Sequence, residues 1–140
     1  MYGKSAVDRS LRDGLAAHDQ IAQDSLTRQV IERQCRPDHI VVYRLMYQQD
    51  PADDVINRAL ELVKPSYMHR EYAIRCLQLA ANNRLDKSSA RSLANWAAHL
   101  KTPAGTLNRH NFELRRNFAL LWAYAISEAE IVLRGAGLTN

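Results

Sequence analysis

The sequence predicts an all-α protein, a single compact bundle of five to seven helices with a buried C-terminal helix. Three observations lead there. Apolar residues recur at steps of three and four along nearly the whole chain, the period of a helix. Only the stretch 38–49 has a β-branched start, and no second strand candidate exists to pair with it. Near the C-terminus, "FALLWAYAI" (118–126) is apolar on every side, which marks a helix at the centre of a bundle.

The elements follow in order. Ser5 is placed to cap a first helix, with Val7, Leu11 and Leu15 four apart and Asp8–Arg12 in the favourable acid-first order. The pattern runs on through Ala22, Leu26 and Val30 until Arg36-Pro37 stops it, because the residue before a proline avoids helical geometry. This segment, 1–36, is polar with one narrow apolar stripe. It reads as an edge helix of the bundle, or as a docking or homodimer seam. Residues 37–140 then form the helical core of one 140-residue domain.

In "DHIVVYRLMYQQ" (38–49), Val41–Leu45 and Val42–Met46 stand at helical spacing, so this piece is read as helix. Asp50 is expected to cap the next helix and Pro51 to take its first turn, with Asp53 and Asp54 against the positive helix end. Val55, Ile56, Ala59, Leu60, Leu62 and Val63 make its inner face, and Lys64-Pro65 ends it. Ser66 is expected to cap a fourth helix over 67–82, with Tyr72, Ala73, Cys76, Leu77 and Ala80 inward and Asn82-Asn83 as its end. A fifth, 88–101, places Ala90, Leu93, Ala94, Ala97 and Leu100 on one side and Lys87, Arg91, Asn95 and His99 on the other. "KTPAGT" (101–106) reads as a loop. The last helix is expected from 107 or 111 to Arg134, with Gly135 as its stop.

No apolar run reaches the ~18 residues of a membrane span, and the N-terminus has no apolar leader stretch. A cytoplasmic location is expected on that basis. Cys35 and Cys76 are then reduced thiols, and two cysteines make no disulfide framework.

Charge is uneven along the chain. Residues 1–70 hold ten basic and ten acidic side chains, while 75–116 holds eight basic against two acidic, a net +6. Such asymmetry favours an anionic partner, nucleic acid or an acidic protein surface, over an evenly solvated exterior. Arginine outnumbers lysine 15 to 4, and the planar guanidinium fork suits phosphate better than an ammonium does. The residues expected to contact nucleic acid are Arg84, Lys87, Arg91, Lys101, Arg109, Arg115 and Arg116. Ser88 and Ser89 at a helix start would add hydroxyls and backbone N–H groups to the seat.

The corner "QQDPADDVINRALELVKPSYMHREY" (48–72) raises a second possibility, a helix-turn-helix. Ile56 and Leu60 on its first helix, Leu62 after the corner and Tyr67 on its second helix would supply the packing. Asn57 at the close crossing, Glu61 at the corner and Arg70 at an apolar position fit poorly, so ordinary helix packing is the preferred reading. His69, Arg70 and Arg75 would be the base- and phosphate-facing residues, with Asp53, Asp54 and Glu71 opposing approach to a phosphate backbone.

Other chemistries have little support. Cys35, His39, His69 and Cys76 could form a Cys₂His₂ zinc set, but Pro37 breaks the first pair and the second pair stands seven positions apart, wide for a zinc site. No metal or cofactor is therefore expected. His18, His99 and His110 stand at polar positions without ligand companions. There is no phosphate-cradling glycine loop or nucleophile elbow, and Asp53 and Asp54 point in different directions. The expectation is a non-enzymatic regulatory protein that contacts nucleic acid, DNA in the first place, through a basic helical surface at 84–116. The alternative is a protein-interaction module, an adaptor or inhibitor, of a kind that phages and mobile elements encode.

Overall fold

A computed structural model of the protein describes residues 24–48, 50–81 and 92–138. Among these the chain is all-α with six helices and no strand, within the expected five to seven. They are α1 (24–34), α2 (Pro37–Tyr47), α3 (Asp53–Val63), α4 (Arg70–Ala80), α5 (Leu93–Leu100) and α6 (Ala104–Gly135). The expectations for 1–23, with Ser5 and its apolar stripe, and for 82–91 lie outside the described residues.

Two compact units divide the chain. Among the described residues, 24–35 and 128–138 make one, and 36–127 the other. The first unit buries Ile31 and Cys35. The Cys35 thiol is pushed up to about 11, first by burial and then by the Glu128 carboxylate beside it, so it is held as an unreactive thiol. α6 ends in this unit on a Schellman motif: Leu138 N–H bonds Leu133 C=O and Gly137 N–H bonds Arg134 C=O. The left-handed residue is Gly137, φ 77°, and not Gly135, which remains inside the helix.

The second unit holds the main core. Val42 and Leu45 of α2, Ala59, Leu60 and Val63 of α3, Ala73, Cys76 and Leu77 of α4, Trp96 of α5, and Leu107, Leu114 and Phe118 of α6 pack into one cluster. Every described helix of the unit contributes to it, which is why each needs only one apolar stripe. In α6 the burial expected of the last helix is carried by Leu107, Leu114, Phe118 and Ala125, at steps of seven, four and seven. Leu120, Tyr124 and Ile126 around that stripe are exposed.

Local boundaries depart from expectation in four places. The helix expected in 38–49 is present over Pro37–Tyr47, with proline at its start, and is not among them. α3 opens at Asp53, two residues later than Asp50 would set it, and Ala52 provides the N-cap backbone without a side-chain bond. Ser66 caps nothing. Residues 64–69 form a turn closed by Met68 N–H to Pro65 C=O, and α4 begins at Arg70. Lys64 holds that turn by donating to the carbonyls of Pro65 (3.1 Å) and Met68 (2.8 Å). In α5, Ser92 caps by accepting from Asn95 N–H, and the buried side runs Leu93, Trp96, Ala97, Leu100, with Ala94 exposed.

The fourth departure positions the site. "KTPAGT" is not a loop: Lys101 ends α5 in the left-handed region at φ 52°. Thr102 N–H then bonds Ala97 C=O and Lys101 N–H bonds Ala98 C=O, a second Schellman closure. Pro103 stands at the N-cap of α6, its carbonyl accepting from Thr106 and Leu107 N–H. Deeper in the unit, Asn117 Nδ2 donates to Val63 C=O at 3.0 Å and satisfies one of the last carbonyls of α3.

Candidate nucleic-acid interface

Placing Leu107, Leu114 and Phe118 against the core turns a fixed side of α6 outward. Between 104 and 127 the exposed positions are Ala104, Gly105, Asn108, Arg109, Phe112, Arg115, Arg116, Ala119, Leu120, Ala123, Tyr124, Ile126 and Ser127. That surface holds three arginines and no acid. Arg109, Arg115 and Arg116 form no ion pair among the described residues; Arg109 only donates to Thr106 Oγ1 on its own helix, at 3.3 Å. Glu113, one turn beyond Arg109, is half-buried and likewise unpaired among the described residues. Lys101 is exposed in the turn before α6, where its backbone already performs the helix closure described above. Arg84, Lys87 and Arg91 lie outside the described residues.

The second group of expected residues separates in the structure. Arg70 donates to the Asn57 side chain on α3 and faces the corner. His69 instead borders the α5–α6 join, and Arg75 is half-buried on α4. His69 Nε2 lies 3.4 Å from Thr102 Oγ1 and stands close enough to His110 to act on it electrostatically. Arg75 and Arg115 both act on the Cys76 thiol, which burial pushes up to about 11 and those two guanidiniums and the Tyr72 hydroxyl pull down. Cys76 is thus a small buried hydrophobe, as its stripe suggested.

The corner itself does not have the proportions of a helix-turn-helix. Six residues, 64–69, separate α3 from α4, against a usual turn of three or four. Leu62 lies within α3, not after the corner. Tyr67 lies in the turn, exposed, with its ring 4.7 Å from that of His110. A polar cleft of about 460 Å³ opens here, lined by Asn57, Leu60, Glu61, Lys64, Ser66 and Arg70. Its cations already have partners, and Glu61 is paired to Arg58 at 2.7 Å.

Three histidines gather nearby from three elements. His99 Nε2 pairs with Glu71 Oε2 at 3.1 Å, His69 meets Thr102, and His110 stacks on Tyr67. Burial, then Arg109 and His69, lower the His110 pKa below its ordinary value. Among the described residues no three His, Cys, Asp or Glu side chains converge to hold a metal, and Cys35 and Cys76 are separate buried thiols.

Phe112 escaped the sequence reading. It is 66% exposed, has no ring or cation–π partner among the described residues, and stands amid the arginines. The signal was available as the spacing Arg109, Phe112, Arg115, Arg116, which puts an aromatic ring on a basic helical face. No known protein family, curated protein or solved structure matches the chain.

Proposed function

We propose that this is a non-enzymatic nucleic-acid-binding protein, with DNA as the favoured partner, acting in a regulatory role through the exposed face of α6. The observation that carries this reading is a surface with Arg109, Arg115 and Arg116, no acid, and no carboxylate partner for any of the three among the described residues. An arginine already paired to an acid has little left to offer a phosphate. These three are available, and they stand on a helix fixed by a dry apolar stripe, so the array is preorganised. Lys101, and Arg84, Lys87 and Arg91 beyond the described residues, extend the same basic run in the sequence.

Fluorescence anisotropy of the full chain against labelled DNA and RNA at two salt concentrations tests the proposal. Affinity falls with salt, each phosphate contact adding about 0.9 to the logarithmic slope on duplex DNA. Arg109→Glu with Arg116→Glu lowers both affinity and slope while leaving Tm unchanged. Absence of binding at low salt removes the reading.

A second reading, a protein-interaction module, is favoured by one different observation. Leu120, Tyr124 and Ile126 are large apolar side chains exposed on the following turns of α6. Leu120→Arg separates the two: it abolishes partner capture in this reading and leaves nucleic-acid affinity intact or raised.

A further inference from the structure

We infer that Phe112 is a stacking platform for an unpaired base, so that the ligand class of the α6 face is single-stranded nucleic acid. The inference rests on the nucleic-acid reading above and narrows it. The α-helix turns about 100° per residue, which places Phe112 about 60° from Arg109 on one side and about 60° from Arg115 on the other, with Arg116 between Phe112 and Arg109. The ring therefore lies inside the arginine sector. Glu113 lies on the far side of Arg109, away from the ring. Along the axis Arg109 and Arg116 stand about 10 Å apart with the ring between their levels.

An isolated exposed apolar residue needs no explanation by itself. Phe112 differs because of what surrounds it. Its neighbours one turn away are Asn108, Arg109, Arg115 and Arg116, and the exposed apolar side chains of the same side, Ala119, Leu120, Ala123 and Ile126, begin only about two turns further along the helix. A folded duplex offers phosphates to the arginines but keeps its bases stacked inside, leaving the ring in water. A single strand offers both, with backbone phosphates to Arg109, Arg115 and Arg116 and a base face to the ring. Each base has a π-face, so such a platform is tolerant of sequence. Charge complementarity and ring placement thus select the same occupant.

The test uses the full chain with a fluorescein-labelled single-stranded DNA oligonucleotide and the same oligonucleotide annealed to its complement. Wild type binds the single strand more tightly than the duplex. Phe112→Ala weakens single-strand binding by about 5- to 100-fold, the alanine-substitution effect of one base–aromatic stack, and leaves duplex binding within twofold. Phe112→Trp restores single-strand binding. Because the side chain is exposed, all variants keep the wild-type Tm. The inference is overturned if Phe112→Ala leaves single-strand affinity unchanged or weakens both ligands equally, or if polyglutamate competes as well as the oligonucleotide. If neither oligonucleotide binds at low salt, or Arg109→Glu with Arg116→Glu changes nothing, the broader nucleic-acid reading falls instead.

Discussion

At the α3–α4 corner Arg58 bonds both Asp38 and Glu61, Lys64 donates to two carbonyls of the turn, and Arg70 donates to Asn57. On α6, Arg109, Arg115 and Arg116 have no carboxylate or carbonyl partner among the described residues. Both regions carry arginines that the sequence offered as phosphate contacts, but the corner sets Asp53, Asp54, Glu61 and Glu71 among its cations. The difference lies in what the fold places opposite each cation. α3 carries an acid three residues from Arg58, and α2 supplies Asp38 across the interface. α6 has Glu113 at the edge of its basic side and its other acids at 128 and 130. An internally partnered cation fixes the fold; an unpartnered one is available to a ligand.

The largest effect should come from the opposite side of the same helix. Leu114 is fully buried, and Leu114→Ala should cost about 2–5 kcal/mol through lost transfer energy and the cavity left behind. Thermal or urea unfolding reads this directly. A smaller loss would mean that α6 is less firmly seated than its buried stripe implies, and the preorganisation of the arginines would go with it. Next in size is the direct contrast of the two regions in binding. Arg116→Glu should reduce the salt slope by about 1 and weaken binding several-fold, whereas Arg70→Glu should leave affinity within twofold. Equal effects from both would erase the distinction between corner and face.

Much of the architecture was legible in the sequence because a helical apolar period survives any error at helix ends. The five described stripes of the larger unit all follow it. What was not legible is end geometry. Asp50 and Ser66 are chemically good caps, but each lies two or more residues before the N-cap of the helix that forms: Ala52 takes that position in extended geometry before α3, and the Pro65–Met68 turn intervenes before α4. In α5 the small residues Ala90 and Ala94 drew attention from Trp96, which completes the stripe at i+3 from Leu93. The basic face was legible as composition. Its lack of acid partners was not, because partnering depends on which helix lies opposite. Phe112 was missed for a related reason: one ring in the basic run is no aromatic-rich motif, and its exposure beside the arginines follows only once the buried side of α6 is known.

A smaller effect concerns the join between α5 and α6, where the glycine stands at the wrong residue for the turn. Lys101 takes the left-handed conformation, which costs an L-residue about 1–2 kcal/mol. Gly105 meanwhile occupies the first turn of α6, with open space where a Cβ would stand. Lys101→Gly should therefore stabilise the protein by about 1 kcal/mol, and Gly105→Ala by about 0.5 kcal/mol. Lys101→Gly also removes a charge beside the proposed interface. A gain in Tm with unchanged affinity would assign Lys101 to the fold alone; a gain in Tm with a shallower salt slope would assign it to both regions at once.

The smallest effect is a pH dependence where the two regions meet. His110 lies against Tyr67 of the corner turn and next to Arg109 of the basic face. Burial, then Arg109, then His69, lower its pKa from the ordinary 6.5. The sign follows from linkage: the unfolded chain takes up this proton more readily than the folded one. The neutral form's stabilising contribution is present above pH 6.5 and declines as pH falls through the window below it. Protonation also adds positive charge beside Arg109 and His69. His110→Phe keeps a ring against Tyr67, forgoes no hydrogen bond at Nδ1, which has no partner among the described residues, and removes the titration. Tm measured from pH 8 to 5 should then fall less steeply in the variant than in wild type. An identical slope would mean that the acid sensitivity arises at another group, and that the corner and the basic face are not coupled through this histidine.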